Sequence, residues 1–224
     1  MKHSFSILGL LYFLILFGCK NKEVELPLIN IDGISEIQNH SSIWVFYEQT
    51  PKDTLAILNN NNKLLNTNWI YNIDSRLTMD KVVPILIKMQ ENRNKKSMHK
   101  KEGMLNFFSY ANTKDKNISL VMFDTINFKH INHNGKNGKP RKVDEKTIQL
   151  KIKNNNIIID KRITNSSSFI ADIKTLIDKD TLSNLKIVLY YPDNLTFQNY
   201  LSIKAHLAST NIDVDRNEYI YSIK

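Results

Sequence analysis

Residues 187–197, which read IVLYYPDNLTF, carry the strongest local signal for the fold of this chain. The run begins with five apolar or aromatic residues that are typical of a buried strand, and Pro192, followed by Asp and Asn, ends that strand. Thr196 is then placed to cap a helix. The apolar positions after it have helical spacing and are Phe197, Tyr200, Leu201, Ile203 and Leu207. The sequence therefore predicts a strand, a tight turn and a helix in immediate succession.

The segments around this stretch complete an α+β pattern. Residues 148–152 alternate between apolar and polar side chains, which predicts a half-buried strand, and residues 154–156 turn the chain back into a second strand. A first helix follows, whose apolar face is Phe169, Ile173, Leu176 and Ile177. Residues 214–223 supply the last strand. The order β-β-α-β-α-β predicts a mixed sheet with helices packed on one face.

The first half of the chain repeats much of this pattern. Residues 69–79, WIYNIDSRLTM, again place a strand, an acidic residue and Leu-Thr before a helix. Pro84 falls inside this helical pattern, so the helix is predicted to be kinked or to start later than Thr78. Residues 43–47 predict another strand, and residues 105–123 predict a β-hairpin.

The predicted organisation is α+β with two small two-layer modules, each a mixed sheet with helices on one face. Glycine and proline in residues 131–143 identify this segment as the best candidate for a linker. The first module then covers residues 42–130 and the second covers residues 144–224. A length of 224 residues suits two domains of about 100 residues each.

The element order and the text of residues 148–222 resemble the periplasmic domain of the ExbD/TolR family, whose members couple proton-driven inner-membrane motors to transport across, or integrity of, the outer envelope. Residues 187–197 are similar to the strand-to-helix junction of that family, and residues 69–79 are similar to it again, which suggests two copies of one module. The resemblance implies a transmembrane helix with a proton-carrying aspartate, but residues 1–19 contain no Asp or Glu. This chain is therefore expected to provide only a periplasmic binding module. The alternative is an unrelated two-layer α+β domain with the same local pattern.

The N-terminus predicts where the protein resides. Residues 1–23 read MKHSFSILGLLYFLILFGCKNKE, with a short basic start, an apolar run and then Gly18 and Cys19. This layout is similar to a bacterial lipoprotein signal peptide, which implies removal of residues 1–18 and attachment of lipid, including a palmitate-like acyl chain, to Cys19. Residues 19–41 would then form the lipidated N-terminus and a tether. A plain secretion signal and an uncleaved anchor are the alternatives, although the apolar run is shorter than the about 20 residues that span a bilayer.

Composition excludes several enzyme classes. Cys19 is the only cysteine, so its lipidation leaves the mature chain without a disulfide, a thiol nucleophile or a thiolate metal site. None of the six glycines falls in a dinucleotide-binding, P-loop or nucleophile-elbow motif. The excess positive charge is concentrated in residues 93–101 and 129–142, which are interpreted as solvated loops or as contacts for anionic lipid headgroups or an acidic cell-wall polymer. A nucleic-acid role would need aromatic residues interleaved with the basic ones.

The residues with possible chemistry have simpler interpretations. His130 and His133 could hold a metal, but no carboxylate accompanies them, and a solvated surface pair fits the sequence better. Asp74 and Asp193 each follow a strand and precede a helix, where a carboxylate stabilises the helix N-terminus by about 0.3–1 kcal/mol. No residue is therefore assigned a catalytic role.

We therefore expect a non-enzymatic lipoprotein of the bacterial cell envelope without a catalytic, cofactor or metal site. Cys19 attaches it to a membrane, and the outer membrane facing the periplasm is favoured over the inner membrane. The expected partner is an envelope transport or integrity complex, a second copy of the chain or the cell wall, and not nucleic acid. Trp44 and Trp69 are expected to be core or interface anchors.

Two other functions fit the same sequence. The first is an envelope ligand-binding lipoprotein or hydrolase with an unrecognised site, which requires a deep pocket lined by polar groups. The second is a subunit whose sheet edge, residues 214–223, pairs with a strand of its partner.

Overall fold

The computed structural model describes residues 22–94, 103–123, 125–131, 147–153, 156–159, 162–165, 168–179, 186–210 and 212–222. Within these ranges the chain forms two mixed sheets of six strands each and three helices. This confirms the predicted α+β class with two modules. The predicted linker lies outside the described residues except for Ile131, which ends a strand.

The first sheet is built from the first half of the chain. Its strands are β1 (Leu28–Ile29), β2 (His40–Gln49), β3 (Thr54–Asn59), β4 (Asn68–Ile73), β5 (Asn106–Asn112) and β6 (Asn117–Phe123). β2, β4 and β5 run parallel, while β3 and β6 pair antiparallel with β2 and β5. β1 runs parallel to β5 near the carboxyl end of β5. The carboxyl ends of β2, β4 and β5 therefore lie at the same end of the sheet.

The second sheet has the strand order β10-β9-β8-β11-β12-β7. Its strands are β7 (Asn127–Ile131), β8 (Thr147–Lys153), β9 (Asn156–Ile159), β10 (Arg162–Thr164), β11 (Lys186–Pro192) and β12 (Asp213–Tyr221). β8, β11, β12 and β7 are parallel, and β9 returns antiparallel to β8 as the sequence predicts.

Three helices join these strands. They are α1 (Met79–Asn94), α2 (Phe169–Lys179) and α3 (Phe197–Ala208). The Thr196 hydroxyl accepts a hydrogen bond from the backbone N–H of Asn199, which confirms the predicted cap of α3. Pro84 lies inside α1, which nevertheless begins at Met79. None of the helices in the described part of the chain is both long and apolar enough to span a bilayer.

The two modules share one topology. In the first, the hairpin β2–β3 is followed by β4, α1 and β5, and the strands lie in the order β3-β2-β4-β5. In the second, the hairpin β8–β9 is followed by β11, α3 and β12, and the strands lie in the order β9-β8-β11-β12. The second module adds β10 and α2 between its hairpin and its third main strand. Each strand-to-helix junction identified in the sequence therefore occupies the same place in its module.

These two junctions pair directly with each other. Thr78 and Thr196 form an antiparallel bridge. The backbone N–H of Met79 donates to the oxygen of Leu195 at 2.8 Å, and the N–H of Phe197 donates to the oxygen of Leu77 at 2.7 Å. Exchanging the two modules exchanges these two bonds, so the junctions meet with local two-fold symmetry.

One hydrophobic core runs through both modules. α3 lies between the sheets, with Phe197 5.5 Å from Phe108 of β5 and Tyr200 5.3 Å from Tyr191 of β11, measured between ring centroids. Edge-to-face aromatic contacts of this kind stabilise packing beyond their buried area. The modules are therefore packed into a single body through α3.

The structure differs from the predicted tether in residues 22–41. β1 pairs with β5, and Ile34 forms an antiparallel bridge with Leu120 of β6. Ile29 is buried in the core. This segment gives no sequence signal because a strand of two residues is too short to show a period-2 pattern.

The structure also differs at the boundary between the modules. β7 was placed in the first module by the sequence, but it pairs with β12 in the second sheet. β12 consequently lies between β11 and β7, and the prediction that residues 214–223 form a sheet edge is wrong for residues 217–221. The pairing partner of a strand is set by the tertiary fold, so the local sequence of β7 could not assign it to a sheet.

Candidate functional site

A groove of about 200 Å³ lies between the two modules, and we call it the intermodule groove. Its apolar lining includes Phe108, Phe123, Ile212 and Val214. Its polar lining includes Lys204, Arg216 and Glu218. An apolar cleft with a few convergent polar groups is the usual form of a small-molecule site.

A buried ionic network forms at one side of this groove around Glu218, whose side chain is 0% exposed. Its carboxylate accepts hydrogen bonds from the hydroxyls of Tyr191 at 2.9 Å and Tyr200 at 3.0 Å. Lys204 donates to the other carboxylate oxygen at 2.8 Å, and its side chain is 16% exposed. Two tyrosines and a lysine therefore compensate one buried negative charge.

Three elements bring this network together. Glu218 lies on β12 on the same face as the buried Ile220, so strand alternation directs it towards the helices. Tyr200 and Lys204 are one turn apart on α3 and share a helix face. Tyr191 lies on β11, opposite Ile220. The network thus fastens α3 to the centre of the second sheet.

The polar groups of this network bond to one another. Burial, and next the charge of Glu218, raises the pKa of Tyr191 and of Tyr200 well above the usual range for tyrosine. Both hydroxyls therefore stay protonated and act as donors. Both carboxylate oxygens of Glu218 are engaged by donors, and the single hydroxyl hydrogen of Tyr200 lies within reach of both, at 3.0 Å from one and 3.3 Å from the other. This arrangement suits the positioning of Lys204 at the groove better than proton transfer to a bound molecule.

Asp74 forms a second buried anionic centre at the carboxyl end of β4. Its side chain is 0% exposed and pairs with Arg76 through two hydrogen bonds of 2.8 and 2.7 Å. The same carboxylate accepts the backbone N–H of Glu25 at 3.1 Å. The guanidinium of Arg76 lies 4.4 Å from the ring centre of Tyr47. Asp74 therefore anchors the N-terminal segment to the first sheet, a role beyond its predicted effect on the helix N-terminus.

Arg93 does not behave as the solvated cation that was predicted for residues 93–101. It is 8% exposed and donates to the backbone oxygens of Thr67 at 3.0 Å and Leu105 at 3.1 Å. Its guanidinium lies 4.2 Å from the ring centre of Trp69. Arg93 is thus a structural residue, and residues 95–102 lie outside the described part of the chain.

The face of the first sheet that points away from α1 and α3 carries exposed apolar side chains, and we call it the outer face. Strand alternation and register place nine apolar side chains on this face: Trp44, Leu55, Ile118 and Met122 are exposed, Phe46, Ile57 and Ile70 are half-buried, and Phe107 and Leu120 are buried. Met122 and Ile118 are 54% and 57% exposed, and Trp44 and Leu55 are 39% and 41% exposed. An apolar patch of this kind on a folded domain typically marks a contact surface.

The corresponding face of the second sheet carries a row of aromatic and basic residues. Lys129, Tyr219, Tyr190 and Lys151 lie opposite one another on β7, β12, β11 and β8. The two tyrosine rings are stacked with their centres 4.8 Å apart. Lys129 lies 5.8 Å from the ring centre of Tyr219. The row brings aromatic and basic side chains together. The two tyrosines stack on each other, so each covers one face of the other ring.

The other predicted site residues are not brought together. His130 lies on β7 and is exposed, while His133 and Cys19 lie outside the described residues. The described residues contain no group of three or more His, Cys, Asp or Glu side chains able to hold a metal ion. Asp193 contributes its backbone oxygen, which accepts the N–H of Asp80 at 2.9 Å.

Sequence reasoning missed the Glu218 network. One signal was present, because Glu218 is an acidic residue two positions before Ile220 in a predicted strand and therefore on its buried face. Its partners on α3 and β11 could be named only once the tertiary fold was known.

Comparisons with models of protein families, with curated proteins and with solved structures found no match for this chain.

Proposed function

We propose that this chain is a non-enzymatic lipoprotein of the bacterial cell envelope, anchored through Cys19, that acts as an interaction module of the ExbD/TolR type. It binds a protein of an envelope transport or integrity complex, or a second copy of itself, through the outer face of the first sheet. The observation that carries this proposal is the exposure of Trp44, Leu55, Ile118 and Met122 together on one side of one sheet.

The polar chemistry of the described residues supports a binding role. The carboxylates of Glu218 and Asp74 are engaged in internal pairs with Lys204 and Arg76. Breaking either pair would leave a buried charge without a partner, which is strongly unfavourable. These groups therefore serve the stability of the fold, whereas four large apolar side chains of the outer face stay exposed among the described residues.

Replacing Cys19 with alanine is expected to move the protein from the membrane fraction to the soluble fraction. Lipid chains at Cys19 would supply about 0.8 kcal/mol for each buried methylene, and two or three chains hold a protein firmly on a bilayer. Fractionation of cells followed by immunoblotting measures the change. Unchanged membrane association of the Cys19→Ala variant would contradict the anchor.

The outer face is tested by a photo-crosslinking amino acid at position 55, which is exposed on this face, in the full-length protein and in the bacterium that encodes it. We expect discrete adducts, either with a second protein or with another copy of the chain. They should be lost when Trp44→Asp places a charge on the same face. A crosslinker at Leu64, which is 58% exposed but lies in the β3–β4 connection, is the matched control and should give no such adduct.

A ligand-binding lipoprotein is the second candidate, and the intermodule groove is the observation that favours it. Its volume of about 200 Å³ would admit a small apolar molecule with a polar end near Lys204. The crosslinking experiment separates the two candidates. A ligand-binding protein would give no adduct at position 55 and no effect of Trp44→Asp.

A further inference from the structure

The chain is fastened to the folded domain very soon after Cys19. The amine of Lys22 lies 3.0 Å from a carboxylate oxygen of Glu48, at the end of β2. The backbone N–H of Glu25 donates to Asp74 at 3.1 Å, and the backbone oxygen of Glu25 accepts from Ser75 at 2.7 Å. Glu25 is therefore fixed against the carboxyl end of β4 by its own backbone.

This attachment limits how far the domain can lie from its lipid anchor. An extended chain spans at most about 3.3–3.6 Å per residue, so the six residues from Cys19 to Glu25 reach about 20 Å. A globular domain of about 200 residues is roughly 40 Å across. The connection is thus about half as long as the domain is wide, and the end that holds Glu25 has to be the end nearest the bilayer.

We call the end of the first sheet that holds Glu25 the proximal end. The direction of the strands defines it. β2, β4 and β5 are parallel, and their carboxyl ends lead into residues 50–53, 74–76 and 113–116. Residues 60–66, between β3 and β4, lie at the opposite end. β2 contains ten residues, so about 30 Å separates the two ends of this sheet.

Several charges at the proximal end form ion pairs, and the cations Lys52 and Lys116 are exposed beside them. Lys81 lies 2.7 Å from Asp53, and Lys114 lies 2.8 Å from Asp32. Arg76 bridges Asp74 and Glu25. Because the paired charges cancel, they add little net attraction for anionic headgroups. The large apolar side chain of Leu28 is 63% exposed next to this end.

We infer that the domain lies directly on the bilayer that holds Cys19, with the proximal end of its first sheet against the lipid headgroups. This inference rests on the proposed lipid anchor. The strands of the first sheet then run away from the membrane. The outer face forms one side of the domain and lies close to the bilayer. A partner that binds the outer face must consequently present its own surface within reach of the same membrane.

Site-directed fluorescence tests this orientation in the full-length lipidated protein. Cys19 is the only cysteine, so a cysteine introduced elsewhere is the single free thiol for a probe. Lys52→Cys places the probe at the proximal end, and Asn62→Cys places it at the opposite end; both positions are exposed. The proteins are inserted into phosphatidylcholine and phosphatidylethanolamine vesicles that contain headgroup-linked nitroxide lipids. We expect several-fold stronger quenching at position 52 than at position 62.

A tether variant is the matched control. Insertion of a flexible Gly/Ser segment of about 20 residues between Asn21 and Lys22 adds a root-mean-square length of about 25 Å, which should abolish the difference between the two probes. Equal quenching at both positions with the native connection, or stronger quenching at position 62, would overturn the orientation. Failure of the unlabelled protein to float with vesicles would instead overturn the lipid anchor itself.

Discussion

Replacing Glu218 with alanine is expected to lower the free energy of unfolding by about 3–5 kcal/mol, which is the usual cost of removing one partner of a buried ion pair. The substitution leaves the largely buried amine of Lys204 without its carboxylate. It also removes the acceptor of the hydroxyls of Tyr191 and Tyr200, which are both buried. Urea denaturation followed by circular dichroism measures the change.

Matched variants separate the charge from the hydrogen bonds. Glu218→Gln keeps an oxygen acceptor for the tyrosines but removes the charge that Lys204 needs, so its loss of stability should be smaller than that of Glu218→Ala. The double variant Glu218→Leu with Lys204→Met removes both charges together. It should be more stable than Glu218→Ala, because a buried pair replaced by apolar residues avoids an uncompensated charge. A Glu218→Ala variant that unfolds at the urea concentration of the unaltered protein would contradict the structural role of this network.

The strand-to-helix junctions are the part of the fold that the sequence predicts best. Their signals are local: a run of strand-forming residues, a turn and a capping threonine all lie within about a dozen positions. Thr196 caps α3 as predicted, and α1 begins directly after Thr78. The antiparallel bridge between Thr78 and Thr196 could not be predicted, since it joins residues from the two halves of the chain.

The elements that the sequence missed depend on contacts between distant residues. β3 pairs only with β2 and is half-buried, so its alternation is weak. β7 lies in the second sheet because β12 is its partner, and no local pattern carries that information. The two tryptophans show the same limit. Both were expected to be core or interface anchors, and the sequence did not distinguish the two roles: Trp69 is 0% exposed in the core, whereas Trp44 is 39% exposed on the outer face.

Replacing Phe108 with alanine is expected to destabilise both modules together, by about 3–5 kcal/mol for a fully buried phenylalanine. Phe108 is 0% exposed and stacks on Phe123 with the ring centres 3.8 Å apart. Its ring also contacts Phe197 and Tyr200 of α3, which belongs to the second module. The cavity left by alanine would therefore lie at the contact between the modules.

Two spectroscopic probes determine whether the modules unfold as one unit. Trp44 and Trp69 are the only tryptophans and both lie in the first module, so their fluorescence reports on that module, whereas circular dichroism reports on the whole chain. Coincident transitions that shift together in Phe108→Ala indicate one cooperative body. Trp44→Ala, on the outer face, is the control and should cost much less. Circular dichroism of Phe108→Ala could instead keep a second transition at the original midpoint. The second module would then be stable without this contact, and the shared core would not couple the two modules.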